Sequence, residues 1–359
     1  MLNFIDSALK SPLARILAWP QSPESYLDLL APSVGGSGIK ATVKAVRQET
    51  RRAVSLVLEP NHRWPGHVPG QYVSFNVVLN GRRHTRCFTI SGFEGGCPVV
   101  TIQAHDGGVV SNWANDSVWT GDAVELDAPA GDFVLPTPRP DRLLFIAGGS
   151  GITPVRALVD QLVAENYTGQ ADILYYVPST GDAIFLAHLQ ALCQTHPGFR
   201  LHLVTTRETK DGLHGHFGAA HLEAIGADIS ASQAFVCGPA GLIDAVIQHW
   251  DDAGQSARLT LERFQAARIP LVTSGEAMPI AFSDSGVTTT APGMTLLEAA
   301  ENAGLNPAYG CRQGNCRTCT CRKLSGQVRD IRTGELSGTG EEDIAICVTV
   351  PVTAVSIEL

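Results

Sequence analysis

At 359 residues, with 44% hydrophobic and 17% charged side chains, the chain is ordinary globular material, too long for one core and suited to two or three domains. Its 35 acidic against 26 basic residues leave a net charge of −9, which argues against nucleic acid as a partner. No apolar run approaches the ~20 residues of a membrane helix, and nine scattered cysteines with no leader pattern make a reducing cytoplasm the expected compartment.

Residues 1–37 read as an arm and a linker. Leu2, Ile5, Leu9, Leu13, Ile16 and Leu17 recur near helical spacing, interrupted by Pro12. Ser25–Leu30 is a second short helical stretch, and Gly35-Gly-Ser-Gly38 is linker-like. Two helices packed on the next domain satisfy the pattern. So does a surface helix that touches a membrane or a membrane-bound partner.

Residues 38–138 change to the period of strands. Segments at 41–47, 53–59, 69–77, 86–91, 99–105 and 123–127 alternate, and Asn80-Gly81 marks a tight hairpin. Short strands with tight turns predict a small antiparallel barrel. Alternation along Arg86-Cys-Phe88-Thr89 puts a cation and an aromatic ring on one side, although a solvated arginine beside a core phenylalanine gives the same pattern. Gly107-Gly108-Val109-Val110-Ser111 is a glycine pair opening a helix through Trp113. Amides exposed there suit a pyrophosphate, though other glycine-rich turns look similar.

Residues 139–268 read as α/β. Leu143–Ala147 is the continuous apolar run of a buried parallel strand. Gly148-Gly149-Ser-Gly151-Ile-Thr153-Pro154 then leads into an amphipathic helix, with glycines for the turn and a helix start to face a phosphate. Further strands are expected at 173–177, 200–205 and 234–237, the last running into Cys237-Gly238-Pro239 and a helix. Cys237 is also compatible with a buried, inert thiol. His214-Gly-His216 lacks cysteines or carboxylates at ligand spacing and reads as a polar loop. An NAD site places a carboxylate at the end of the second strand. Here that strand ends Val177-Pro-Ser179-Thr180, with no acid before Asp182. Ser179 and Thr180 as donors, with Arg207 and Lys210 as cations, lean toward a 2′-phosphate, hence NADPH over NADH. Glu208 and Asp211 dilute that charge, and a solvated loop edge accounts for the same residues.

Residues 269–359 carry the most specific pattern. A strand pair at 280–283 and 287–290 precedes a helical stretch with Leu296, Leu297, Ala300 and Ala303, stopped by Gly304. Then come Cys311, Cys316 and Cys319 in C-x4-C-x2-C, with Cys347 distant. This is the spacing of plant-type [2Fe–2S] ferredoxins, in which three thiolates of one loop and a remote fourth hold the cluster. Structural zinc usually shows two short cysteine pairs, and only one is present. Cys321 is left out of the ligand set.

Strand, strand, helix, cysteine loop and final strand resemble a β-grasp ferredoxin. The order Arg86-x-Phe-Thr, Gly-Gly-x-x-Ser, Gly-Gly-x-Gly-Ile-Thr-Pro and Cys-Gly-Pro resembles the ferredoxin–NADP reductase family, over about residues 38–359 in all. The fold implied is an antiparallel β-barrel flavin domain, an α/β Rossmann-like nucleotide domain and an α+β ferredoxin domain. The resemblance gives Arg86 to the flavin pyrophosphate, Phe88 to ring stacking, Thr89 to the flavin N5 edge and 107–111 to the pyrophosphate, favouring FAD over FMN. Phe88 stands where the family usually has tyrosine, so a phenol hydrogen bond is lost. Gly149, Gly151 and Thr153 fall on the dinucleotide pyrophosphate. Cys237 with Gly238 and Pro239 falls near the nicotinamide, and Glu262-Arg-Phe264 beside the flavin. The activity implied is NAD(P)H-dependent electron transfer through FAD and a [2Fe–2S] cluster by a monomer. Tyr26–Leu30 resembles the arm of reductases that serve membrane diiron acyl desaturases, implying peripheral membrane contact. Soluble diiron or Rieske oxygenases and a hybrid-cluster protein are alternative acceptors, and an iron–sulfur redox sensor is an alternative of another class.

Overall fold

The computed structural model describes residues 38–79, 81–208, 212–264, 278–290, 292–310, 314 and 318–359. The expected N-terminal helices and the expected boundary at 268 lie outside them. No helix among the described residues is long and apolar enough to cross a membrane.

The first domain has strands β1 (Ile39–Thr50), β2 (Ala53–Pro60), β3 (Tyr72–Leu79), β4 (Arg82–Glu94), β5 (Cys97–Gln103) and β6 (Ala123–Leu126), with helix α1 (Val109–Asp116) between the last two. They close into an antiparallel barrel in the order β1-β2-β5-β4-β3-β6. Inward positions such as Val43, Leu56, Phe75 and Ile90 are fully buried, each worth about 1.5–3 kcal/mol of transfer free energy. Register sets Phe75 opposite Arg86 and Val73 opposite Phe88. The Phe75 ring stands edge-on to Phe88 with centroids 5.8 Å apart, fixing the latter's plane.

The second domain runs β7 (Arg142–Gly148), α2 (Ile152–Ala164), β8 (Gln170–Val177), α3 (Leu186–Thr195), β9 (Phe199–Thr205), β10 (Leu213–His214), α4 (Ala219–Ile225), β11 (Gln233–Cys237), α5 (Ala240–Asp252) and β12 (Leu259–Glu262). The sheet is parallel, in the order β10-β9-β8-β7-β11-β12. From Leu143 onward strand β7 is apolar because both faces are covered. Leu143, Phe145 and Ala147 enter one core, and Leu144 and Ile146 the other. His214, expected in a loop, instead ends the short edge strand β10, which pairs with β9 through Thr205.

The third domain has β13 (Pro279–Phe282), β14 (Val287–Thr290), α6 (Leu296–Asn302), β15 (Thr320–Ser325), β16 (Val328–Asp330), β17 (Glu342–Ala345), β18 (Thr349–Pro351) and β19 (Val355–Ile357). Its main sheet runs β14-β13-β19-β15-β17, with β16 and β18 paired apart. Helix α6 starts at a capping box. Thr295 Oγ1 accepts from the Glu298 N–H at 3.2 Å, and Glu298 Oε2 accepts from the Thr295 N–H at 2.9 Å. Leu296, Leu297, Ala299 and Ala300 then seat it on the sheet's core.

Candidate functional site

A cavity of about 350 Å³ is walled by the barrel and the parallel sheet. The barrel contributes Arg86, Phe88 and Thr89 from β4, and Gly108, Val109, Val110 and Ser111 at the start of α1. The sheet contributes Gly149, Thr153, Gly238 and Pro239, and Phe264 follows β12. Elements far apart in sequence thus meet around one space. Gly107 stands just outside the wall, and its φ of +75° makes the turn that a side chain there would strain.

Two residues that line this space carry hydroxyls without partners. Thr89 Oγ1 and Ser111 Oγ are buried and have no hydrogen-bond partner among the described residues. Leaving such a group unsatisfied costs about 1–3 kcal/mol, so the wall is built for a polar ligand. No side chain caps α1, which leaves its first amides to the same space. A Cβ on Gly108 would lie 2.2 Å from Ser111 Oγ, so only glycine leaves that hydroxyl its position. Arg86 Nη1 donates to the Thr85 carbonyl at 2.7 Å and to the Gly310 carbonyl at 3.5 Å.

Gly151 departs from expectation. It does not line the cavity, because it is packed behind the wall, where a Cβ would lie 2.1 Å from the Cys237 carbonyl oxygen. A Cβ on Gly148 would likewise lie 2.6 Å from Pro239 Cδ. These glycines let the β7–α2 turn sit on the β11–α5 turn. Gly151→Ala is expected to lower the stability of this domain by about 1–3 kcal/mol through overpacking, read as a drop in its thermal midpoint. Gly241→Ala, where a Cβ meets nothing within 4 Å, is the control that leaves the midpoint level or raises it.

Cys237 and Glu262 also stand behind the wall, opposite each other in the β11–β12 register, with Sγ 3.9 Å from Glu262 Oε2. Burial pushes the Glu262 carboxyl up to about 8 and the Cys237 thiol well above its ordinary value, the thiol further raised by the adjacent carboxylate. At neutral pH the pair is a carboxylic acid beside a thiol.

At the end of β8, Ser179 Oγ donates to Asp182 Oδ2 at 2.7 Å, and Thr180 donates to Glu208 Oε2 through its amide at 3.2 Å and its hydroxyl at 3.3 Å. The hydroxyls expected to meet a 2′-phosphate are therefore engaged by carboxylates. Arg207 is exposed, and Lys210 lies outside the described residues.

Cys311 and Cys316 also lie outside them. Cys319 and Cys347 are both buried, and the Ile346 N–H donates to the Cys319 carbonyl at 3.2 Å, tying the two cysteine segments together. Gly314, which falls between Cys311 and Cys316 in the sequence, holds φ +76° where a Cβ would lie 2.8 Å from Val348 Cγ2. Cys321 sits on β15 opposite Ile344 and packs against the third domain's core.

Residues 145–248 match the oxidoreductase NAD-binding domain, and residues 280–352 match the 2Fe-2S iron-sulfur cluster binding domain. The NADPH oxidoreductase of Mycobacterium tuberculosis is 33% identical over 349 residues, covering 95% of this chain and 90% of its own. The chain belongs to the ferredoxin reductase family that carries a C-terminal [2Fe–2S] domain. This reductase is also 28% identical to the glycine betaine monooxygenase reductase subunit of Chromohalobacter salexigens, over 81% of this chain and 86% of that one. Phthalate dioxygenase reductase shares the fold, with a TM-score of 0.61 at 22% identity over 90% of this chain and 98% of its own. NAD(P)H, FAD and a [2Fe–2S] cluster are its redox groups.

The reductase's cavity also holds residues to which the motifs gave no role of their own. Gln103 ends β5 and His105 follows it into the wall, where partial burial and then the Arg52 cation lower His105 from the ordinary histidine range. Arg263, between the two motif residues Glu262 and Phe264, reaches it as well. Only the period of β5, which ends at Gln103, could have flagged the first two.

Proposed function

We propose that this reductase takes hydride from NADPH and delivers electrons singly to a separate oxygenase. The observation that carries the reading is the cavity in which the barrel and nucleotide motifs converge around the two unpartnered hydroxyls, Thr89 Oγ1 and Ser111 Oγ. Bound FAD accepts a hydride and gives up single electrons, and a [2Fe–2S] cluster carries one at a time. The residues serve that chemistry by holding, orienting and excluding water. Arg86, Ser111 and the first amides of α1 neutralise and fix a pyrophosphate. Phe88 and Phe264 offer ring faces for stacking, and Thr89 lines the same wall with its hydroxyl unpartnered. Gly149, Thr153, Gly238 and Pro239 form the nucleotide's bed. Glu262 keeps a proton next to Cys237 just behind it. Cys311, Cys316, Cys319 and Cys347 supply four thiolates, a donor set that suits iron and sulfide.

The oxygenase partner is supported by relatives such as the monooxygenase reductase subunit above. The narrower partner, a membrane diiron acyl desaturase, rests on Tyr26–Leu30, outside the described residues. Anaerobic spectra before and after NADPH test the reading. Flavin bleaching followed by cluster reduction, and transfer to a one-electron dye, are expected. Cluster absorption without flavin would make the chain a redox sensor. Membranes containing a desaturase, supplied with NADPH and this protein, should then consume oxygen in step with acyl unsaturation. Failure there alongside success with a soluble oxygenase discards the membrane partner.

NADPH preference rests on Arg207, the exposed cation following β9. Arg207→Ala is expected to weaken apparent NADPH affinity several-fold and leave NADH unchanged, as fits a charge-assisted contact of about 1.5–3 kcal/mol. Steady-state dye reduction with each nucleotide measures it, and a parent protein that prefers NADH ends the argument.

A further inference from the structure

Arg263 falls within no phosphate-binding motif, yet its side chain lines the cavity and is only 19% exposed. Its place follows from register. Strands β11 and β12 run parallel with Cys237 opposite Glu262, so Arg263 comes level with Gly238 at the carboxyl ends of both strands. The chain lays down β7, β8, β9 and β10 outward in one direction and then returns to place β11 and β12 on the other side of β7. The crevice at that reversal is where a doubly wound sheet receives a nucleotide. The glycine turns at 148–149 and 238 flank the crevice and supply amides but no charge. Among the described residues lining the cavity, the guanidinium groups are those of Arg86 and Arg263, and Arg86 stands across on the barrel. Arg263 Nη2 donates to Asp244 Oδ1 at 2.8 Å, from the second turn of α5. That bond uses one of five guanidinium N–H donors and restrains the fork.

We propose that Arg263 is the cation that binds the pyrophosphate of the pyridine dinucleotide, with Asp244 as its positioning residue. The assignment deepens the reductase reading and rests on it. A pyrophosphate brings two negative charges that helix-start amides offset only in part, and a guanidinium adds paired, charge-assisted hydrogen bonds. The pyrophosphate is common to NADH and NADPH, whereas the 2′-phosphate read by Arg207 belongs to NADPH alone. The two arginines therefore separate by which nucleotide each one affects.

Calorimetric titration of the FAD-loaded protein with NADP⁺ and with NAD⁺ tests this. Arg263→Ala is expected to weaken both nucleotides by about tenfold, with flavin content and thermal midpoint unchanged. Arg263→Lys should recover part of the loss for both, because it keeps the charge without the fork. Arg207→Ala, in parallel, should weaken NADP⁺ only. Should Arg263→Ala not fold, Arg263→Gln takes its place. Unchanged binding of both nucleotides, loss confined to NADP⁺, or loss of FAD in the Arg263 variants overturns the assignment. A parent protein that binds neither nucleotide sinks the reductase reading itself.

Discussion

A Cys347→Ser protein is expected to be purified without iron–sulfur absorption, to retain FAD, and to bleach that FAD with NADPH at a rate within about twofold of the parent. Electron delivery to the oxygenase partner should fall to background. The separation follows from the cores. The barrel and the third domain bury their own apolar sets, and the residues lining the cavity all lie between 86 and 264. Cys319 and Cys347 stand in the last domain, which reaches the cavity wall through the long hydrogen bond that Arg86 donates to the Gly310 carbonyl. Cys316→Ser should behave as Cys347→Ser does. Cys321→Ser should keep the cluster, because that residue stands on β15 outside the C-x4-C-x2-C spacing. Stopped-flow absorbance of the three variants measures flavin and cluster separately. If flavin reduction collapses together with the cluster, the domains are not independent electron carriers. A colourless Cys321→Ser protein would mean the ligand set has been misassigned.

Much of this arrangement was legible because it is periodic. Strand β7 announced itself as two-sided by an unbroken apolar run, and the structure divides that run between two cores. The barrel strands showed their alternation, and α6 showed both its apolar face and its glycine stop. Glycine-rich turns were legible as turns, but not what each glycine avoids. Gly149 reaches the cavity wall, whereas Gly151, two residues on, is required by the Cys237 carbonyl behind it. That distinction depends on a contact across nearly ninety residues of chain, which no local pattern carries. Isolated polar residues were hidden for the same reason. Nothing in the local sequence sets Lys323 apart. It is fully buried, donating to the carbonyls of Gly326 at 2.9 Å and Gly338 at 3.0 Å beside Glu342. Gln103 and His105 acquire meaning only when the barrel and the parallel sheet close on one space, and Arg263, legible as part of Glu262-Arg-Phe264, gains its own position only there. The carboxylate facing Thr180 likewise comes from the sheet's folding, since Glu208 reaches back from beyond the end of β9, whereas Asp182, which faces Ser179, is local.

Replacing Glu262 by glutamine is expected to raise stability at neutral pH and to flatten its pH dependence. Burial holds the native carboxyl protonated up to about 8, against an ordinary value of 4.5. Between those limits the folded chain keeps a proton that the unfolded chain has released, so the native state binds more protons. Stability therefore falls as pH rises from about 4.5 to 8 and is level above that window. At pH 7 the cost is on the order of 2–3 kcal/mol, which a neutral amide of the same shape does not carry. Thermal unfolding of both proteins from pH 5 to 9 should show curves that converge at the acid end and separate toward pH 8. The same substitution tests the role of the carboxyl in turnover. Glu262 ends β12 next to Arg263 and Phe264, so a change in its charge is felt at the cavity wall. The rate of flavin reduction by NADPH should change with an apparent pKa near 8 in the parent and lose that step in the glutamine variant. The Cys237 thiol, raised well above its ordinary value, stays protonated across the range and adds no step of its own. An unaltered pH profile in Glu262→Gln, with the stability curve shifted as described, would leave Glu262 a buried acid that the reaction does not use.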